Sequence, residues 1–424
     1  MTTETLARPL TTELAPPGLL HRRMPALADL LAVPGFVQVG LSNGLAHAFG
    51  MRMQGIAVAW LVLEMTGSKL WLGVINGAPA LSIVLFSLLG GVLADSRDAR
   101  RVLVASRAAL ALTAFAAALL VTTGEVQLAH LMVYALLVVG LAAVDLPASR
   151  TLVHDMVGSA RLLSASATQS VATNVINIAA PMAVGVLIGT AGASAAFWLL
   201  GAGYAIAGAL ILRARSAAVT RQPRHSSPLA DVAAGLAYVR STPAVAALVG
   251  LGFLVPVAGV YFAMVPVYAR EVLNVGAGGL GVLVASFSVG SLASSGYLAA
   301  SGRMRRRGLR LTLLGVLFGA GVMAFALSQS FLLSCGVSFA LGVTAGFWQN
   351  VLSAMVQVVA APEMRGRVVG VFTMGFQLIG LGWLIGGTLA TAIGVEATVL
   401  AAGFAFAGLS VAVYACSPET RAID

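Results

Sequence analysis

Twelve runs of about twenty apolar residues, each bounded by turn residues or charge, fill most of this 424-residue sequence. Wound as a helix rising 1.5 Å per residue, such a run crosses a hydrocarbon layer about 30 Å thick. Lipid offers the backbone no hydrogen-bond partner, so each run must satisfy its own N–H and C=O groups, which a helix does. Asp, Glu, Lys and Arg make up 9% of the chain and apolar residues 59%, whereas a soluble fold carries roughly a quarter charged residues. The expectation is an all-α integral membrane protein with twelve transmembrane helices. They are placed near 35–63, 70–94, 102–122, 127–148, 166–190, 194–212, 243–268, 278–300, 309–328, 331–359, 368–391 and 396–416.

The net charge of +10 would suit nucleic acid, but the basic residues lie singly or in short clusters between apolar runs, with no aromatic platform or nucleic-acid motif. Their placement fits a membrane orientation instead. With the chain starting in the cytoplasm, twenty-one of the 25 basic residues fall on the inner side. The exceptions are Lys69 and Arg270 outside, and Arg52 and Arg107 within spans. By the positive-inside rule both termini are cytoplasmic. The proline-containing first 34 residues read as a cytoplasmic tail, not a signal peptide, and 417–424 as a second tail. The longest polar interruption, 213–242, divides the spans into six-helix bundles at 35–212 and 243–416. Within it, 228–240 has apolar residues at helical spacing and suggests a helix lying on the inner membrane face or a solvated one. Cys335 and Cys416 fall inside apolar runs and read as small buried hydrophobes, with no spacing for a disulfide framework or metal site.

Helix 2 ends in GGVLADSRDARR (90–101), and GYLAASGRMRRRG (296–308) ends helix 8 at the matching place in the second half. Corresponding loops in two six-helix halves mark the parallel repeats of transporters. The stretch 91–101 resembles the signature between helices 2 and 3 of the major facilitator superfamily. The segments GMRMQGIAVAWLVLEMTGS (50–68), DLPASR (145–150), VPVYAREVL (265–273) and APEMRGRVVGV (361–371) are similar to its branch of enterobactin exporters and macrolide-efflux pumps. Ser96 and Ala99 replace basic residues common in relatives, and Ala180 precedes Pro181 where drug exporters often have glycine. The resemblance implies two pseudo-repeat bundles in the major facilitator fold, with helices 1, 4, 7 and 10 around a central cavity and helices 2, 5, 8 and 11 completing its wall. It also implies a gate in which Asp95 sits against the start of helix 11 while Arg97 or Arg100 pairs with Asp145.

Polar residues inside the spans mark candidate sites. On helix 1, Asn43, His47 and Gln54 fall at spacings of four and seven, with Arg52 nearby. Such a stripe faces either a wet cavity or neighbouring helices, since lipid cannot satisfy it. Helix 5 carries Gln169, Thr173 and Asn177, and helix 10 carries Gln349, Asn350 and Ser353. Pro256 and Pro266 should interrupt helix 7. No carboxylate lies mid-span, so the proton-coupling candidates are His47 and Asp145, with His130 at the outer interface.

There is no phosphate-binding loop, zinc pair or nucleophile elbow, so neither an ATPase nor a membrane hydrolase is indicated. No cofactor or metal is expected. The reading is a secondary transporter in the cytoplasmic membrane, exporting a small neutral, zwitterionic or anionic molecule against protons and working as a monomer. An uptake symporter of the same fold, a lipid flippase and a membrane enzyme are the competing readings. From this orientation, a cysteine placed at Ser226 should resist a membrane-impermeant reagent applied to intact cells; efficient labelling there would overturn it.

Overall fold

The computed structural model describes residues 29–30, 33–80, 98–214, 228–301 and 307–416, and the regular elements among them are all helices. Helix 1 comprises Phe36–His47, a π-turn over Ala48–Met53, and Gln54–Thr66. Helix 2 begins at 69 and is described to 80. Helix 3, Ala99–Thr123, is capped by Asp98, whose carboxylate accepts the Arg100 N–H. From Leu128 to Arg213 the chain is helical apart from breaks at Gly158 and Gly192, where φ is 70° and 82°. Side chains rarely tolerate that left-handed backbone, so a single glycine separates helix 4 from helix 5, and another separates helix 5 from helix 6.

Helix 7 spans Pro243–Val272, helix 8 Gly276–Ser301, helix 9 Arg307–Ala326, helix 10 Phe331–Val359, helix 11 Arg365–Ile393 and helix 12 Val395–Cys416. Among the described residues nine helical stretches are long and apolar enough to cross a membrane, and one of these, Val175–Arg213, contains the Gly192 break. Counting both sides of that break and helix 1, eleven of the twelve expected spans are described over their length, and helix 2 over 69–80.

Helices 4 and 11 depart from expectation, and helix 7 follows it. Helix 4 passes through Pro147 and ends at Gly158, so Arg150 is helical and not in a loop. Ala148, Leu152, Val153 and Val157 are buried in one cluster with Ala99, Val102 and Leu103 of helix 3. This packing holds the extension although the proline removes one helical hydrogen bond. Helix 7 does break where prolines were placed: Pro256 opens its second segment after the Phe253–Leu254 break, and Pro266 precedes a π-turn over Tyr268–Val272. Helix 11 has an unexpected break at Leu378. The helix Pro228–Ser241 packs on the start of helix 11, where Gly235 lies against the Arg367 backbone and the Tyr238 hydroxyl accepts the Ala361 N–H at 3.3 Å.

The two halves meet along seams of small residues. Between helices 2 and 11, a Cβ built on Gly73 would lie 2.6 Å from the Trp383 carbonyl oxygen, and one on Gly77 2.6 Å from that of Gly380. Between helices 5 and 8, a Cβ on Gly185 would lie 2.5 Å from the Ala277 carbonyl oxygen, and one on Gly281 2.5 Å from that of Pro181. Without hydrophobic drive between helices in lipid, such close backbone approach is what associates them. Both seams lie toward one face, which carries few charges and includes the turns at 67–68, 192 and 273–275. The opposite, arginine-rich face carries the connections at 98, 158 and 360–364 and the end of helix 6 at 214.

Candidate functional site

Helices 1, 3, 4 and 6 converge on a buried ion pair. The Arg107 side chain on helix 3 is 0% exposed, and its Nε lies 3.1 Å from Oδ1 of Asp145 on helix 4, whose side chain is 14% exposed. Its Nη2 donates to the second carboxylate oxygen at 3.2 Å and to Asn43 Oδ1 of helix 1 at 2.7 Å. Nη1 donates to the Ser42 hydroxyl, which donates in turn to the Ala207 carbonyl of helix 6. The Ser106 hydroxyl completes the shell, donating to Asp145 Oδ1 at 2.9 Å. A two-pronged guanidinium–carboxylate contact fixes geometry as well as charge. Two charges taken out of water persist only when mutually paired and hydrogen-bonded, and here both conditions hold.

In this conformation Asp145 meets Arg107, whereas the resemblance implies Arg97 or Arg100. Arg100 turns instead to the end of helix 6, where Nε donates to the Ile211 carbonyl at 3.2 Å and Nη2 to that of Leu212 at 2.6 Å. A cation there satisfies the free carbonyls at a helix C-terminus. Asp95 and Arg97 lie outside the described residues. Arg107 carried a signal of its own: an arginine inside an apolar span requires a carboxylate at its own depth.

The helix 1 stripe does not survive as one face. Asn43 is in the ion-pair shell and His47 is half-buried just before the π-turn, but Gln54 is 8% exposed with its Oε1 unpartnered among the described residues. The π-turn inserts extra residues per turn and so rotates the later part of the helix about its axis, and Gln54 is buried in this conformation. The side chain of Arg52 lies outside the described residues.

Gln169, Thr173 and Asn177 are half-buried on helix 5, with Gln169 Nε2 and Asn177 Oδ1 buried and unpartnered. The antiparallel contact of Pro181 and Gly185 with Gly281 and Ala277 puts these three at about the levels of Ser295, Ser291 and Ser288 on helix 8. On helix 10, Gln349 and Asn350 are exposed, and Asn350 Nδ2 donates to the Ser295 hydroxyl at 3.0 Å. Half-buried Ser353 offers its carbonyl to Gln357 at 3.2 Å. The helix 8 serines were not anticipated, since a hydroxyl in a span that can bond its own helix gives no distinct sequence signal. The resulting wall of amides and hydroxyls between helices 5, 8 and 10 is neutral.

At the sparsely charged face, Lys69 at the start of helix 2 meets Glu271 of the helix 7 π-turn at 2.8 Å, so one exception to the charge asymmetry ties the two halves together. Cys335 is half-buried and Cys416 exposed, and both are free. Among the described residues no group of three or more His, Cys, Asp or Glu is arranged to hold a metal ion.

Residues 41–381 match the sequence model of the Major Facilitator Superfamily. The chain is 29% identical over 421 residues to the multidrug efflux pump Tap of Mycolicibacterium fortuitum, covering 95% of this chain and 98% of that protein. It is 24% identical to the enterobactin exporter EntS of Escherichia coli over 350 residues, or 82% of this chain and 83% of that one. Among solved structures it superposes on a point variant of the peptide transporter POT with a TM-score of 0.74 at 14% identity over 94% of this chain and 99% of that one. A bacterial homologue of the lysosomal transporter Spinster, inward-facing and unoccupied, gives 0.72 at 15% identity over 91% and 97%.

Removing one member of the buried pair leaves the other charge without compensation, at a cost of about 3–5 kcal/mol. Arg107→Met should therefore lower the unfolding temperature in detergent, and adding Asp145→Leu should recover most of the loss. An Arg107→Met variant as stable as the parent would contradict this account of the pair.

Proposed function

The chain belongs to the Major Facilitator Superfamily, and we propose that it is a proton-driven exporter of a small organic molecule, acting as a monomer in the cytoplasmic membrane with both termini inside. It is a multi-pass transporter and not an enzyme. The observation that carries the proton coupling is the Arg107–Asp145 pair, because it is the place among the described residues where a carboxylate meets a fully buried arginine within the spans. Protonating Asp145 would dissolve the pair and leave Arg107 to Ser42 and Asn43, so a proton's arrival changes what holds helix 1 to helices 3 and 4.

Alternating access follows from the seams. The described conformation is closed at the sparsely charged face, where helices 2 and 11 and helices 5 and 8 pack backbone to backbone. Asp95, Arg97, Arg100 and Asp145 belong to the mechanism that closes the other face. A carboxylate such as Asp95 at a helix N-terminus is favoured by about 0.3–2 kcal/mol, enough to bias two states a few kcal/mol apart without locking either. Full-length similarity to two exporters supports the outward direction over uptake.

The wall of Gln169, Thr173, Asn177, Ser295, Gln349 and Asn350 suits a neutral or anionic solute. Asp145 is already neutralised by Arg107, and among the described residues no other carboxylate lies at that depth in the spans to offset the desolvation of a permanent cation. In proteoliposomes under an imposed pH gradient, catechol siderophores or other neutral or anionic organic solutes should be transported and quaternary ammonium dyes should not. Asp145→Asn, verified as folded, should cut gradient-driven transport at least tenfold while solute exchange persists. Transport indifferent to the gradient, or of quaternary ammonium dyes alone, would overturn the proposal.

A further inference from the structure

We propose that the N-terminal half contains a proton path separate from the substrate cavity, in which the hydroxyls of Tyr134 and Tyr204 relay protons between the sparsely charged face and Asp145. The inference rests on Asp145 being the coupling carboxylate. Tyr204 on helix 6 is 1% exposed and Tyr134 on helix 4 is 3% exposed, and neither hydroxyl has a hydrogen-bond partner among the described residues. A buried hydroxyl left unpaired is destabilising, and phenylalanine would fill either site without that cost. The usual partner of such a group is an internal water.

The packing leaves the hydroxyls at the right places. The Tyr204 ring stands 6.4 Å from that of Phe49. Its hydroxyl is aimed at Gly50 in the helix 1 π-turn, where a Cβ would lie 2.9 Å from the oxygen, so glycine keeps that space open. The Tyr134 ring meets Phe197 edge-on at 5.4 Å. The titratable and charged groups near enough to interact electrostatically with Tyr204 are Tyr134, Asp145 and Arg107. Gln54 Oε1, one turn beyond Gly50, is a further buried acceptor without a partner among the described residues.

Depth orders these groups. Counting from the ends of helices 4 and 6 at the sparsely charged face, Tyr134 lies about 9 Å in, Tyr204 about 16 Å and Asp145 about 25 Å, at 1.5 Å per residue. These depths run along the helix axes, and the proposed relay needs waters to bridge successive groups. One turn before Tyr134 on helix 4, exposed His130 accepts the Gln127 N–H on Nδ1, which leaves Nε2 toward solvent at the entrance.

The relay conserves charge at every hop. A protonated water gives its proton to a lone pair of the tyrosine oxygen while that oxygen passes its own proton to the next water, so one O–H bond forms as another breaks and no tyrosinate is made. The last water delivers the proton to a carboxylate oxygen of Asp145, giving a neutral carboxylic acid beside Arg107.

The proton itself is the probe for the test. Purified protein is reconstituted in proteoliposomes, and vesicles are sorted by whether a C-terminal tag is displayed. An external pH jump is then followed through the infrared band of the Asp145 carboxylic acid, assigned by its loss in Asp145→Asn and its displacement in Asp145→Glu. In vesicles with the sparsely charged face outward, Tyr204→Phe and Tyr134→Phe should each slow the rise of the band at least tenfold, with its final amplitude unchanged. With the arginine-rich face outward the rate should not change. Equal rates in parent and both variants with the sparsely charged face outward would overturn the path and leave the role of Asp145 standing. A band indifferent to substitution at Asp145 would instead overturn the coupling carboxylate, and the path with it.

Discussion

Hydrocarbon cannot hydrogen-bond, and the rest of this structure depends on that. Backbone groups are satisfied inside helices, and polar side chains are driven either into the protein interior or to its wet surfaces. The Arg107–Asp145 pair is the strongest expression of this constraint. A guanidinium with 0% exposure survives because its donors meet a carboxylate, an amide and a hydroxyl supplied by helices 4 and 1. The same contacts lock four helices of the N-terminal half together, so the group best placed to sense a proton is also one that the packing depends on.

Contact between the halves uses the opposite strategy. Gly73, Gly77, Gly185 and Gly281 bring backbones together with nothing polar to desolvate, and Lys69–Glu271 adds one partly exposed ion pair at the rim. An exposed pair is worth roughly 0–1 kcal/mol. Interfaces of this kind can form and separate repeatedly, whereas a buried pair bridging the halves would resist parting. Among the described residues the buried ion pair thus lies within one half and the contacts between halves are close backbone packing and a partly exposed pair, a division that suits the proposed alternating access.

Much of this was legible in the residues. The spans, the parallel repeat and the family were readable because bilayer thickness imposes a length and the 91–101 loop has a distinctive spacing. The errors have identifiable causes. Helix 4 overruns its expected end because helix 3 packs against its extension, a tertiary effect. Regular α-helical spacing sets Asn43, His47 and Gln54 in one stripe, and the π-turn at Ala48–Met53 alters that spacing. Arg107 stands out as an exception to the charge pattern, but its position alone does not name its counter-ion, and in this conformation Asp145 is held by Arg107 where the resemblance implies Arg97 or Arg100, of which Arg100 turns to the end of helix 6. Tyr134 and Tyr204 were invisible because an aromatic in an apolar run looks like packing until its hydroxyl is seen to lack a partner.

The central claim is that protonation of the buried pair biases two arrangements of the halves. It is most directly tested by measuring the distance across the sparsely charged face. Spin labels at Glu125→Cys and Ser330→Cys, in a chain with Cys335 and Cys416 replaced, report the separation of exposed turns in the two halves. The account predicts two resolved distances whose proportions shift on acidification, and proportions that no longer respond to pH in Asp145→Asn. A single distance at every pH, or a pH response that survives the substitution unchanged, would contradict it.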